Sequence, residues 1–160
     1  MSDWDKLAID WEDFHPRARD ILDEVFYWDC TDDFAPNGND TGADVLELYQ
    51  EWRTENQQRP AGAFFDQLMS EWDVSIPANG DKFSLTTFEE SIVGLAFAQL
   101  KIDGDCEAEI RTRALDSLAQ QRQRTQELHR DWALFGERMR TLQLLESKLK
   151  AVPPPVAERK

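Results

Sequence analysis

Histidine and cysteine are scarce in this chain of 160 residues, with two of each. Cys30 and Cys106 lie far apart, and neither belongs to a CxxC pair, so both read as reduced side chains. Zinc sites built from His and Cys need more ligands than His15, His129 and two scattered thiols supply. The phosphate-cradling glycine loop, the dinucleotide fingerprint, the nucleophile elbow and the paired-histidine zinc motif are all absent. No catalytic residue set and no cofactor are therefore expected. No run approaches the roughly 20 apolar residues that cross a bilayer. The opening Met1-Ser2-Asp3-Trp4-Asp5 lacks the basic and apolar regions of an export signal, which predicts a cytoplasmic protein.

Basic residues are also scarce where acidic ones are dense. Residues 1–90 hold 22 Asp and Glu against 6 Lys and Arg, whereas residues 91–160 hold 10 against 12. The net charge of −14 therefore sits in the first part of the chain. That field repels nucleic-acid phosphates and anionic membrane surfaces. It attracts a basic protein surface, with the fastest association at low salt.

Six Trp, nine Phe and two Tyr supply a core, in a chain whose length fits one domain. Periodicity predicts a mainly α fold: a compact helical domain over 1–150 with little or no β structure. Residues 1–15 carry Trp4, Leu7, Ile9, Trp11 and Phe14 in an irregular segment that plugs aromatics into the body. Pro16 starts a short helix near 16–26. Val45, Leu48, Tyr49 and Trp52 share one face of a helix at 42–56, with Thr41 and Asp44 as its capping box. Pro60 opens a helix over 61–72, and a break comes next at Ile76-Pro77-Ala78-Asn79-Gly80. Thr87 and Glu90 cap an apolar helix at 87–100, the centre of the core. Residues 82–86 fit a helix or a strand. Asp105 is an N-cap for the last helical tract.

That tract has the longest periodic pattern, running through Ala114, Leu118, Gln121, Thr125, Leu128, Trp132, Phe135, Met139, Leu142, Glu146 and Leu149 at alternating spacings of four and three. Such a heptad repeat makes a coiled-coil-like seam. One helix over 106–150 would be about 68 Å long, so it bends near Gly136 or projects as a stalk or homodimer seam. Leu128, Trp132, Phe135, Met139 and Leu142 are its candidate self-association contacts. Its arginines flank the seam and pair with Glu127, Asp131 and Glu137 rather than with nucleic acid. Pro153-Pro154-Pro155 ends the helix and leaves 151–160 as a flexible tail.

Residues 28–43 form a loop dense in Asp, Asn, Gly and Thr. Its carboxylates are the one cluster that could serve as a site. Placing Gly38 at the sixth position of a calcium loop makes Asp33, Asn37, Thr41 and Asp44 ligands, but Ala35 then fills a ligand position. Asp33, Asn37 and Asp44 are accordingly weak metal candidates, and turn chemistry accounts for the loop better. Asp32, Asp33, Asp40 and the neighbouring Phe34 are the candidate contacts for a protein partner.

Several blocks, His15-Pro16-Arg17-Ala18, Phe26-Tyr27-Trp28, Pro36-Asn37-Gly38-Asn39-Asp40-Thr41-Gly42-Ala43-Asp44 and Trp52-Arg53, resemble the uncharacterised bacterial YfeS-like family over residues 10–75. The resemblance implies no activity. The functional expectation is an acidic, cytoplasmic protein-binding module of the immunity or inhibitor type, which occludes a basic toxin or effector. The alternatives are an adaptor self-associating through the 114–149 seam, or a metal-dependent enzyme built on loop 29–44.

Overall fold

The computed structural model describes residues 2–75, 82–155 and 159, and every regular element among them is helical. The expected break at 76–80 lies outside the described residues, as do residues 156–158 of the tail. The helices are α1 (Asp3–Leu7), α2 (Ala18–Ile21), α3 (Asp40–Glu55), α4 (Ala61–Glu71), α5 (Lys82–Ile102), α6 (Ala108–Leu128) and α7 (Phe135–Ala151), with short 3-10 turns at Trp11–Asp13 and Val25–Trp28.

The most apolar stretch of the sequence becomes the axis of the molecule. Every residue of α5 from Ser91 to Lys101 is buried. α3 and α6 pack along it, and α7 packs along α6. Helix α5 begins earlier than the Thr87–Glu90 signature predicts, so Thr87 lies inside it and 82–86 are helical. Likewise Asn39, not Thr41, caps α3, accepting from the Gly42 N–H at 2.7 Å. The α3–α5 crossing is close because two glycines meet there. A Cβ on Gly94 would lie 3.1 Å from Gly42 Cα, and one on Gly42 would lie 2.3 Å from the Pro36 carbonyl oxygen.

The aromatic N-terminal segment forms α1 and a 3-10 turn rather than an irregular strip, but it does plug the body. Trp11 and Phe14 both pack edge-on against Trp28, at 4.9 and 5.1 Å. Arg19 lies over the Trp11 ring.

The expected helix over 106–150 is two helices. The chain reverses at 129–134, short of Gly136, through turns closed by Trp132 N–H to His129 O and Phe135 N–H to Trp132 O. Ion pairing and hydrogen bonding set α6 and α7 antiparallel: Arg122 to Glu146 at 3.2 Å, Arg138 to Gln121 at 2.8 Å and Arg111 to the Val152 carbonyl at 3.0 Å. The physical reason is burial. A straight helix would carry Leu142, Leu145 and Leu149 away from the core, whereas folding back puts them in the same buried cluster as Ala114 and Leu118. The seam closes on itself, and Leu142 is wholly buried inside the monomer instead of offering a self-association contact. Among the described residues the arginines of α6 pair with Glu89, Glu109 and Glu146, and no ion pair involves Glu127, Asp131 or Glu137.

A buried charge cluster ties the helices at one end. Arg53 of α3 reaches Asp103 at 3.2 Å and Glu107 at 3.5 Å, and Tyr49 donates to Asp103. Gln99 of α5 donates to both carboxylates. Glu107 also accepts from the Ala61 N–H at 3.1 Å, satisfying a free donor at the start of α4. Asp105, the expected cap of α6, instead lies 3.6 Å from Arg159, which also approaches Asp103 and Glu107. One residue of the tail is thereby fixed to the body.

Candidate protein-binding face

The acidic loop is shaped by its own side chains. Asp29 Oδ1 accepts from the Thr31 N–H and hydroxyl at 2.9 and 2.7 Å. Asp32 Oδ1 accepts from the Phe34 N–H at 2.9 Å. These are turns in which a short carboxylate replaces a backbone acceptor. The second of them closes the turn that carries Phe34, which is half-buried.

Beneath, the loop is pinned by Asn37. Its Nδ2 donates to the Gly42 and Gly94 carbonyls at 2.9 and 3.1 Å, and its Oδ1 accepts from Lys101 Nζ at 2.8 Å. Lys101 also donates to the Tyr27 carbonyl at 2.7 Å and lies over the Trp28 ring. Among the described residues no carboxylate pairs with this buried ammonium, and burial lowers its pKa to about 7. The calcium-loop register for Asp33, Asn37 and Asp44 fails on this geometry. Asn37 points inward with its oxygen committed to a lysine, away from exposed Asp33 and Asp44. Among the described residues no group of three or more His, Cys, Asp or Glu could hold a metal ion. The two cysteines are not joined in a disulfide: Cys30 is exposed, and Cys106 is buried, which pushes its thiol up.

Phe34 meets the α6–α7 reversal. Its ring packs edge-on against Trp132 at 5.8 Å, and the Arg138 guanidinium lies 5.1 Å from its centroid. Around this pair a groove of about 440 Å³ is lined by Thr31, Asp32, Asp33, Phe34, Trp132, Leu134 and Glu137. Leu128, Trp132 and Leu134 are 67%, 44% and 45% exposed. Exposed apolar side chains gathered in this way, with a polar rim, mark an interaction surface.

The charge here is divided. Glu89 is paired with Arg124 at 2.6 Å, and Arg138 sits close to Glu89 and Glu90. Burial raises the Glu90 carboxyl above its ordinary value; a hydrogen bond with Thr41 and the charge of Arg138 oppose this, and Asp33 and Asp40 add to it. The inner carboxylates are thus answered by the molecule's own arginines. Among the described residues Asp29, Asp32, Asp33, Asp40 and Asp44 enter no ion pair, although Asp32 lies within the field of Arg138.

Of the expected contacts, Asp32, Asp33 and Phe34 line the groove, while Asp40 stands outside it at the first residue of α3. Of the expected seam contacts, Trp132 joins the same groove, Leu128 is exposed nearby in sequence, and Phe135 and Met139 are half-buried. Leu134 belongs to the face but falls outside both the loop and the heptad register, while Glu137 and Arg138 read in the sequence only as charges flanking the seam. No family model, no curated protein and no solved structure matches this chain.

Proposed function

We propose that this protein is an acidic protein-binding module that engages a basic protein through the loop 29–34 and the 128–137 reversal. The observation that carries the reading is the set of Asp32 and Asp33 carboxylates, which enter no ion pair among the described residues, beside the exposed Trp132 and Leu134. Tryptophan in a partly desolvated setting is a frequent interface anchor, and a charged rim raises the rate of encounter. A small acidic protein with this face acts by occlusion, covering the cationic site of a toxin or effector domain in the cytoplasm. The resemblance to the YfeS-like family adds no chemistry to this proposal. Its test is capture of basic proteins from the source cell by the wild-type chain and by Asp32→Lys/Asp33→Lys. Equal capture by both contradicts it.

A second reading has an observation of its own. Trp132 and Leu134 are exposed in one groove and Leu128 is exposed at the end of α6, and two such ends can cover each other as a homodimer. Light scattering over a range of concentrations separates the two. A constant monomer mass removes self-association.

A further inference from the structure

The acidic loop is fastened to the core by a buried cation with no counter-charge. Lys101 stands in the last turn of α5 and is 2% exposed. Its Nζ has two neutral acceptors, the Tyr27 carbonyl at 2.7 Å and Asn37 Oδ1 at 2.8 Å, and the Trp28 ring lies 4.9 Å away. Among the described residues no carboxylate pairs with it. Asn37 carries the hold onward, donating to the Gly94 carbonyl of α5 and the Gly42 carbonyl of α3. One side chain of α5 therefore holds the chain just before the loop, at Tyr27, and within it, at Asn37.

The surroundings leave the charge uncompensated. Burial keeps the Tyr27 phenol protonated well above the ordinary tyrosine range. Lys148, over the Tyr27 ring, is paired with Asp23. From the loop comes Cys30, a titratable group whose charge acts on Lys101. His15, ahead of α2, meets Lys101 through the backbone, its N–H donating to the Lys101 carbonyl at 2.8 Å. Arg19 of α2 is turned to the Trp4 and Trp11 rings. Beyond α5, Asp103 pairs with Arg53 and Asp105 with Arg159. A dry setting of this kind favours the neutral amine, and hydration restores the ammonium. The neutral amine keeps two N–H groups for the same two acceptors, so losing the proton costs neither hydrogen bond.

We infer that Lys101 is a proton-operated latch on the acidic loop: uptake of a proton at Nζ favours lifting of Asn37 from α5, which admits water to the ammonium and frees the segment 29–39 that carries Asp32, Asp33 and Phe34. With the loop closed, Lys101 has a pKa of about 7. With the loop open and the side chain hydrated, it returns toward about 10.4. Between these values opening takes up one proton, so the closed form gains up to about tenfold per pH unit as pH rises. Below about pH 7 both forms are protonated and the dependence ends. Control of partner capture by this latch rests on the function proposed for the loop; the opening itself does not.

Millisecond hydrogen exchange on the full chain measures the opening. The reporters are the N–H groups of Phe34, Gly38 and Gly42, which bond Asp32 Oδ1, the Ala35 carbonyl and Asn39 Oδ1. Each rate is divided by that of the same amide in the unfolded chain. These amides should exchange faster than those of buried Ala114 and Leu118 in α6, and their protection should rise about tenfold between about pH 7 and about pH 8.5. Lys101→Met should remove the rise, and Cys30→Ser should keep it. Four results overturn the latch: loop amides that exchange only together with α6, equal protection at the two pH values, a rise that survives Lys101→Met, or a rise lost in Cys30→Ser. Should Lys101→Met unfold the chain, Lys101→Gln gives the same readout. The exchange is measured without a partner, so its failure leaves the capture experiment standing, and failed capture leaves the latch standing.

Discussion

Phe34 of the acidic loop and Trp132 of the α6–α7 reversal meet edge-on with ring centroids 5.8 Å apart. This contact joins an acidic loop to an exposed apolar reversal. Arg138 adds a guanidinium against the Phe34 ring. The pair should therefore be coupled energetically. In a double-mutant cycle on stability, Phe34→Ala and Trp132→Ala should be non-additive by about 1 kcal/mol. Strictly additive losses in urea titrations would show that the loop and the reversal are not linked.

Lys101 makes stability depend on pH. Its folded pKa of about 7 lies below the ordinary lysine value, so above pH 7 the unfolded chain binds more protons than the folded one. Stability must then rise with pH from about 7 toward the unfolded lysine value. Cys106 acts the other way, because burial raises its thiol and the unfolded chain loses that proton first, above about pH 8.5. The clean window is pH 7 to about 8.5, with a gain on the order of 1–2 kcal/mol. Lys101→Met should flatten this slope. An unchanged slope in the variant contradicts a deprotonating Lys101.

The Arg53 cluster should behave as a buried ion-pair network. Arg53→Met leaves Asp103 and Glu107 buried with Gln99, Tyr49, Arg159 and the Ala61 N–H as their remaining partners. Breaking such a network from one side costs about 3–5 kcal/mol. The exposed Lys6–Asp3 pair should show no measurable effect when Lys6 is replaced. Urea midpoints of both variants check the contrast; similar midpoints would contradict it.

Two glycines give a second contrast. Gly42→Ala forces a Cβ to 2.3 Å from the Pro36 oxygen and should destabilise strongly, displacing the Asn37 anchor with it. Gly136→Ala, in α7, meets nothing within 4 Å and should stabilise by about 0.5–1 kcal/mol. Thermal melts of the two variants should move in opposite directions.

The parts of the fold that local pattern dictates are legible in the sequence. The run from Ser91 to Leu100 is apolar on nearly every side, and it forms the buried axis. Loop 28–43 is readable as turns because Asp and Asn close them locally. What escapes is what depends on distant partners. Nothing local marks 129–134 as a reversal, since it contains neither Gly nor Pro; the gain comes from Leu142, Leu145 and Leu149 reaching the core. Asn37 reads as a surface ligand because its anchors, Gly94 and Lys101, lie far along the chain. The same holds for Phe34 and Trp132, which belong to separate sequence patterns and share one groove. Leu48 has the spacing of a core residue, and periodicity alone does not reveal its exposure.

Whether the carboxylates at Asp32, Asp33 and Asp40 select a cationic partner decides the function proposed for this face. Affinity chromatography of source-cell extract over wild-type and Asp32→Lys/Asp33→Lys/Asp40→Lys chains, eluted with a salt gradient, measures this directly. A basic protein should be retained by the wild type, released by rising salt and missing from the reversed variant. Retention of that protein by both chains, or elution of none but acidic and neutral proteins, would contradict the proposal.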